Sequence, residues 1–295
     1  MIVKNKAFSA AAYLFIGVLI LMCIIPFWLL IVSSLTPESE LLLHGYSLVP
    51  REFTLDTYRY LWSSKDGVLH AYLMSVIIAV IGVSTNVILT TLFAYPLSRR
   101  DLPGRQIISV VLFITMLFNG GLVPTYLIYT QLFHLKDTLA GMIVPGLLMN
   151  AFHIIMMRTY INSNISDEIL EAAKIDGASE FRCLWSVVLP LSKPILGTLA
   201  LMTFIAYWNN WTNGIYYVQQ RIDLHGIQNY LKRVMDSATV MQQQIARGMN
   251  VDASQVPTTG IRMALAVVAV IPVILVYPFF QKSFVKGITL GSVKG

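Results

Sequence analysis

The side chains that could do chemistry in this 295-residue chain are concentrated in three short runs. The first, DEILEAAKIDGASEFRCLWSVVLP at 167–190, sets Glu171, Asp176 and Glu180 among alanines and larger apolar residues. Ile169, Ala172 and Ala173 fall at i, i+3 and i+4, so the run carries an apolar helical face edged by carboxylates. Such a face suits docking onto another protein, where small alanines allow close approach, or resting among lipid headgroups as an amphipathic linker. The second run is Tyr207-Trp208-Asn209-Asn210-Trp211-Thr212-Asn213. Aromatic rings stack on the CH faces of a sugar while amides bond its hydroxyls; the same composition also makes an interfacial aromatic belt. The third is LFNGGLVPTYL at 117–127, where Asn119, Gly120, Gly121 and Pro124 interrupt an apolar stretch beside Tyr126. Irregular backbone at membrane depth must line a cavity or be buried in protein, whereas glycines also serve tight helix packing.

Other chemistries lack their residues. No G-x-x-x-x-G-K-[ST] is present to cradle ATP, and neither H-E-x-x-H nor G-x-S-x-G occurs. Cys23 and Cys183 are too few and too separated for a disulfide framework or a zinc site, so no metal is expected. His153 stands alone in its apolar stretch and reads as hydrogen-bonded packing before it reads as a ligand or base. Ion-coupled transporters place ionisable groups at mid-membrane, and the apolar runs carry no Asp, Glu, Lys or Arg. Any uphill transport would therefore draw its energy from another polypeptide. A channel or facilitator would need no charged insert of the 167–190 kind, and an intramembrane enzyme would need paired ionisable or nucleophilic groups at depth.

The elements that must position these runs follow from composition. The chain is 56% hydrophobic and 12% charged, about half the charged fraction usual for a soluble domain. Stretches free of Asp, Glu, Lys and Arg cover 7–37, 70–98, 106–135, 138–157, 194–220 and 263–281. Each approaches or exceeds the roughly 20 residues that cross a hydrocarbon core, which predicts six transmembrane helices. With the amino terminus inside, the inner segments 1–8, 96–106, 157–193 and 281–295 hold twelve basic and six acidic residues. The outer segments hold nine of each. That asymmetry places both termini in the cytoplasm and accounts for the net charge of +6 without a nucleic-acid partner. Lys4 and Lys6 ahead of an apolar run resemble a signal peptide. The run far exceeds an h-region of roughly 7–15 residues, so an uncleaved first helix is expected.

The expected class is an all-α membrane protein: a cytoplasmic amino terminus at 1–8, a six-helix domain at 9–281 and a cytoplasmic tail at 282–295. An inner loop spans 161–190 and an outer loop 214–262. Within the inner loop, Ser166 is placed to cap a helix with Asp167 and Glu168 in its first turn, and Gly177 to end it left-handed. A second helix should start near Ser179, with Phe181, Leu184, Trp185 and Val188 on one face, and stop at Pro190. In the outer loop, Ile227, Leu231, Val234, Met235, Ala238, Met241 and Ile245 keep helical spacing. That helix suits a place on the bilayer, a plug at the pore mouth, or a seat for a solute-binding protein.

Glu171-Ala172-Ala173, Gly177 and Leu189-Pro190 reproduce the pattern EAA-x3-G-x9-I-x-L-P, with Val187 in place of the isoleucine. The run thereby resembles the signature loop of permease subunits of binding-protein-dependent ABC importers. That resemblance implies a type I importer permease in which the loop is a coupling helix docked into a separate ATPase. Glu171 would make the polar contact, Gly177 the turn, and Ala172, Ala173, Asp176, Leu189 and Pro190 the rest of the signature. VYPFFQKSFVKGITLGSVKG at 276–295 is similar to the tail of sugar-importer permeases related to the inner subunits of the maltose transporter. Gly287, Gly291, Lys294 and Gly295 would then belong to a tail that enters the ATPase dimer interface. LFNGGLVPTYL is similar to the subgroup handling complex oligosaccharides in Gram-positive bacteria. The resemblance further implies a plasma-membrane location, a second permease subunit in a heterodimer, and an ATPase dimer holding ATP and magnesium. It adds an extracellular solute-binding lipoprotein and an oligosaccharide substrate, with no cofactor and no catalysis in this chain. An importer of a non-sugar solute is the nearer alternative.

Overall fold

Apolar runs of this length can satisfy their backbone inside a bilayer only by winding into helices. The computed structural model describes residues 6–63, 65–247 and 259–292, and every regular element among them is helical. In chain order the first eight are α1 (Lys6–Ser34), α2 (Glu38–His44), α3 (Asp56–Ser63), α4 (Lys65–Ser98), α5 (Arg105–Leu117), α6 (Leu122–Leu127), α7 (Leu139–Ile143) and α8 (Ala151–Asn164). They are followed by α9 (Asp167–Ile175), α10 (Glu180–Cys183), α11 (Leu189–Leu191), α12 (Lys193–Trp208), α13 (Thr212–Tyr217), α14 (Ile227–Ala246) and α15 (Thr259–Ser292).

The six expected spans are not all continuous helices. Among the described residues three helices, α1, α4 and α15, are long and apolar enough to cross a membrane alone, and counting each of two bent pairs as one span gives five. One pair is α5 with α6, whose axis continues to Leu132 through a π turn at Ile128–Leu132; it bends by 116°. Asn119-Gly120-Gly121 is that bend, with Gly121 at φ +88° and its N–H donating to Asn119 Oδ1 at 2.9 Å. The second pair joins the short helices ending at Leu191 to α12, bent by 81°.

The stretch 138–157 is split between α7 and α8. Pro145-Gly146 breaks it: proline removes a donor, and Gly146 takes φ +72°. The carbonyls this frees are satisfied from α4, α12 and α13. Asn86 Nδ2 donates to Leu147 O at 2.7 Å and Leu148 O at 3.0 Å. Asn213 Nδ2 donates to Met142 O and Pro145 O, both at 3.1 Å, and Tyr207 Oη donates to Ile143 O at 2.9 Å. Thr203 Oγ1 in turn donates to Asn86 Oδ1 at 3.1 Å. A broken span is tolerable at depth because protein, not lipid, receives its polar backbone.

The chain forms two compact units, Met1–Val68 with Tyr230–Ile271 and Leu69–Asn229 with Pro272–Gly295. In the first, Leu61 packs against Ala264 and Leu265, and Glu38 accepts hydrogen bonds at 3.0 Å from the backbone N–H groups of Thr259 and Gly260. A carboxylate on those donors caps the amino end of α15, where the helix dipole favours a negative charge. In the second, α4, α8, α9 and α12 share a core built on Ala94, Met157, Val188 and Leu199. The helix expected from the spacing at 227–245 is present as α14, with Leu231 and Val234 on its packed side; residues 248–258 lie outside the described residues.

Candidate functional site

The run at 167–190 begins with α9. Asp167 and Glu168 occupy its first turn, where anions suit the helix dipole. Ser166 precedes it with extended backbone but makes no capping hydrogen bond, contrary to the sequence expectation. Its hydroxyl instead serves the Glu168 carboxylate and holds that carboxyl below its ordinary range. At the other end, Gly177 stands at φ +81°. Its N–H donates to Lys174 O at 3.0 Å, and the N–H of Ala178 donates to Ala173 O at 2.9 Å. This pair of bonds across a left-handed residue is the Schellman turn, which closes the last carbonyls of a helix.

The chain then restarts. Ser179 Oγ accepts from the N–H of Arg182 at 3.3 Å and opens α10, as its position predicts. From Leu184 to Val188 the helix widens into a π turn. Regular α spacing would put Phe181, Leu184, Trp185 and Val188 on one face. The wider turn separates them. Leu184 and Val188 are buried, while Phe181 and Trp185 stack on one another at 6.4 Å on the exposed side. Pro190 lies within α11, just after the π turn, so the helix continues past it to Leu191.

Two kinds of contact fasten this helix pair. Leu170, Leu184 and Val188 enter the core shared with Tyr95 and Leu97 of α4 and with Ile195 and Leu199 of α12. Glu180 supplies the polar fastening: Tyr95 Oη donates to its Oε2 at 2.5 Å, and Lys174 pairs with its Oε1 across the glycine turn. Arg100 adds an ion pair to Asp167 at 3.5 Å. These contacts leave Ile169, Glu171, Ala172 and Asp176 exposed, with Ile175 at the tip 86% exposed. The loop thus presents an apolar tip flanked by carboxylates on a base tied to α4 and α12. Sequence reasoning missed Lys174, Glu180 and Tyr95 as a unit. Opposite charges flanking Gly177 were the visible signal; the tyrosine, 85 residues before Glu180, was not.

Hydrogen bonds from Lys174 and Tyr95 hold the Glu180 carboxyl below its usual range. A depressed folded-state pKa means the fastening is fully present above the unfolded value, about 4.3 for glutamate, and is lost as pH falls through the folded one. Its side chain is about half exposed, so the ion pair itself contributes at most about 1 kcal/mol. Hydrogen-exchange protection over 177–183, taken relative to the intrinsic rate at each pH, should therefore hold from neutral pH down to the ordinary glutamate range and fall only below it. Glu180→Gln should show the lowered protection at neutral pH. Equal exchange in variant and wild type at pH 7 would mean that Glu180 does not fasten the turn.

The aromatic and amide run is divided by the fold. Tyr207 and Trp208 are interior residues: Tyr207 bonds Ile143 O, and Trp208, 2% exposed, packs against Tyr72 and Phe204. Both rings are buried in this chain rather than displayed at its surface. Asn209 and Trp211 lie at the surface. At the α5–α6 bend, Asn119, Gly120 and Gly121 are exposed, whereas Tyr126 stacks on Tyr217 with ring centroids 5.9 Å apart. His153 is buried, and its Nδ1 has no hydrogen-bond partner among the described residues, unlike the satisfied packing histidine expected. Cys183 is fully buried, and among the described residues no cluster of metal-ligating side chains occurs. In the tail, α15 runs unbroken through Gly287 and Gly291, while Lys294 and Gly295 lie outside the described residues.

Residues 63–290 match the family described as binding-protein-dependent transport system inner membrane component. The chain is 38% identical over 292 residues to the polygalacturonan/rhamnogalacturonan transport system permease protein YtcP of Bacillus subtilis strain 168, covering 99% of this chain and 100% of that one. It is 29% identical over 288 residues to the trehalose/maltose transport system permease protein MalG of Thermococcus litoralis, covering 96% of each. Among solved structures it is similar to a bacterial ABC transporter involved in the import of the acidic polysaccharide alginate. The TM-score there is 0.80 at 28% identity, over 96% of this chain and 99% of that one.

Proposed function

The chain belongs to the family of binding-protein-dependent transport system inner membrane components, and from that premise we propose that it is one permease half of an ATP-driven oligosaccharide importer. The observation that carries this reading is the exposed tip formed by Ile169, Glu171, Ala172, Ile175 and Asp176, on a base fastened to the spans behind it. In this reading the tip is a coupling helix facing the cytoplasm. Glu171, Ala172, Ala173, Asp176 and Gly177 present it to an ATPase dimer that holds ATP and magnesium, and Leu189 and Pro190 set its return into α12. Closure of the dimer moves the tip, and the bundle alternates between inward and outward access. The tail containing Gly287 and Gly291 reaches the same dimer. A second permease subunit completes the bundle, giving six spans in each half, and an extracellular lipoprotein delivers substrate toward α14.

Two relatives are named for polysaccharides, one of them acidic, which supports oligosaccharides, acidic ones first, as the substrate class. The Bacillus subtilis relative supports the plasma membrane of a Gram-positive bacterium as the location. Asn209, Trp211 and the bend at Asn119, Gly120 and Gly121 are the substrate-path residues available at the surface. The test is ATPase activity of the complete complex in nanodiscs with its binding protein, screened against acidic and neutral oligosaccharides. One oligosaccharide class should stimulate hydrolysis, and Glu171→Ala should cut that stimulation several-fold with the complex still assembled. Stimulation by a non-sugar solute alone, or solute flux without ATP, would replace the reading with the corresponding rival.

A further inference from the structure

A surface cavity of about 660 Å³ lies where the turn after α4 meets α5 and α8, and arginines dominate its polar lining. Arg100 comes from the turn, Arg105 opens α5, and Arg158 reaches in from α8. Ser109, one turn into α5, donates to Arg105 O at 2.7 Å and accepts from Arg158 Nη1 at 3.0 Å, which orients that guanidinium. Among the described residues no carboxylate lines the cavity. Asp167 holds Arg100 at 3.5 Å from the side and Asp101 pairs with Arg99, leaving Arg105 and Arg158 without an ion pair among the described residues. The amino end of α5 adds charge of the same sign. Gly104 precedes it at φ +73°, no side chain caps it, and its first turn has no acid. Like charges gathered in one cavity repel unless an anion joins them, and guanidinium forks fit phosphate oxygens in pairs.

The wall beyond the arginines is apolar. Ile107 lines the cavity, and Val111 and Ile114 continue its face at i+4 and i+7, all exposed; no residue of α5 is buried. We propose that this cavity binds the phosphodiester of an anionic lipid headgroup, with the acyl chains lying along Ile107, Val111 and Ile114. The placement rests on the orientation argued above, which puts 96–106 and 157–193 at the inner surface, where anionic lipid and basic residues meet. A free phosphate would use the arginines but not the apolar stripe.

The complete importer complex, exchanged into phosphatidylglycerol or phosphatidylcholine and released into native mass spectrometry, reads the site directly. Wild type should retain phosphatidylglycerol in preference to phosphatidylcholine, and Arg105→Gln with Arg158→Gln should weaken that preference roughly thirtyfold. Arg105→Lys with Arg158→Lys, which keeps the charge but loses the forks, should fall between wild type and the glutamine pair and so separates lost recognition from misfolding. Millimolar inorganic phosphate should leave the lipid bound. Displacement by phosphate would make the ligand a free phosphate and overturn the proposal. So would wild-type retention in the glutamine variant, or loss of a protein subunit from that variant with lipid retention unchanged. Oligosaccharide-stimulated ATPase, assayed in parallel, keeps the two readings apart: its absence in wild type defeats the importer, whatever the lipid result.

Discussion

Gly177→Val should abolish substrate-stimulated ATPase activity in the assembled complex while leaving basal hydrolysis intact, and Gly177→Asn should retain most of the stimulation. The reason is confined to the backbone. Gly177 holds φ +81° and an added Cβ would meet no atom within 4 Å, so crowding at Cβ contributes nothing. An ordinary L residue pays roughly 1–2 kcal/mol for the left-handed conformation, and a β-branched one more, whereas asparagine is tolerated there. Each 1.4 kcal/mol is about tenfold in the population of the turn. Without it, the bonds from Gly177 N–H to Lys174 O and from Ala178 N–H to Ala173 O are lost. Lys174 then no longer faces Glu180 across the turn, and Ile175 leaves its place at the tip. Normal coupling in both variants would show that the turn's geometry is not what an ATPase reads, and the docking role would have to move elsewhere on α9.

The second large effect is structural. Gly82→Val should lower the thermal midpoint of the complex by several degrees and reduce its yield. A Cβ at residue 82 would lie 2.4 Å from Tyr207 Cζ, 2.6 Å from Cε2 and 2.7 Å from Cε1. Those atoms cannot retreat cheaply: the ring is buried, and its hydroxyl donates to Ile143 O at the edge of the broken span. Overpacking a well-filled interior typically costs about 1–3 kcal/mol. Displacing Tyr207 also withdraws a donor from backbone that lipid cannot satisfy. In a Tyr207→Ala background the valine should cost much less, and that coupling in a double-mutant cycle assigns the penalty to this contact. An unchanged midpoint in the single variant would mean that α4 and α12 do not approach so closely.

Much of the candidate site was legible because its signals are local. Gly177, Ser179 and the acids of the first turn of α9 act through bonds to residues within a few positions, and their residue types announce those bonds. Where the reading failed, the cause was a competitor that spacing does not display. Ser166 turned from the backbone to Glu168 because both partners lie within its reach. The four apolar residues of the second helix were assigned one face because an α period was assumed, and a single π turn divided them. In the stretch 138–157, Pro145-Gly146 was a visible breaker that the absence of charge obscured.

The sequence by itself determined the membrane class, the apolar stretches, the signature loop with its glycine turn, and the absence of a nucleotide-binding motif. Composition and short-range hydrogen bonding are sufficient for each of these. Only the tertiary structure decided which spans stay whole, that Tyr207 and Trp208 are core, that Glu180 is held by Tyr95, and that three arginines share one cavity. Each of these depends on residues tens to more than a hundred positions apart. Whether a freed carbonyl finds Asn86, or a guanidinium stays without a carboxylate, is settled by what packs beside it, and no period or spacing along the chain records that.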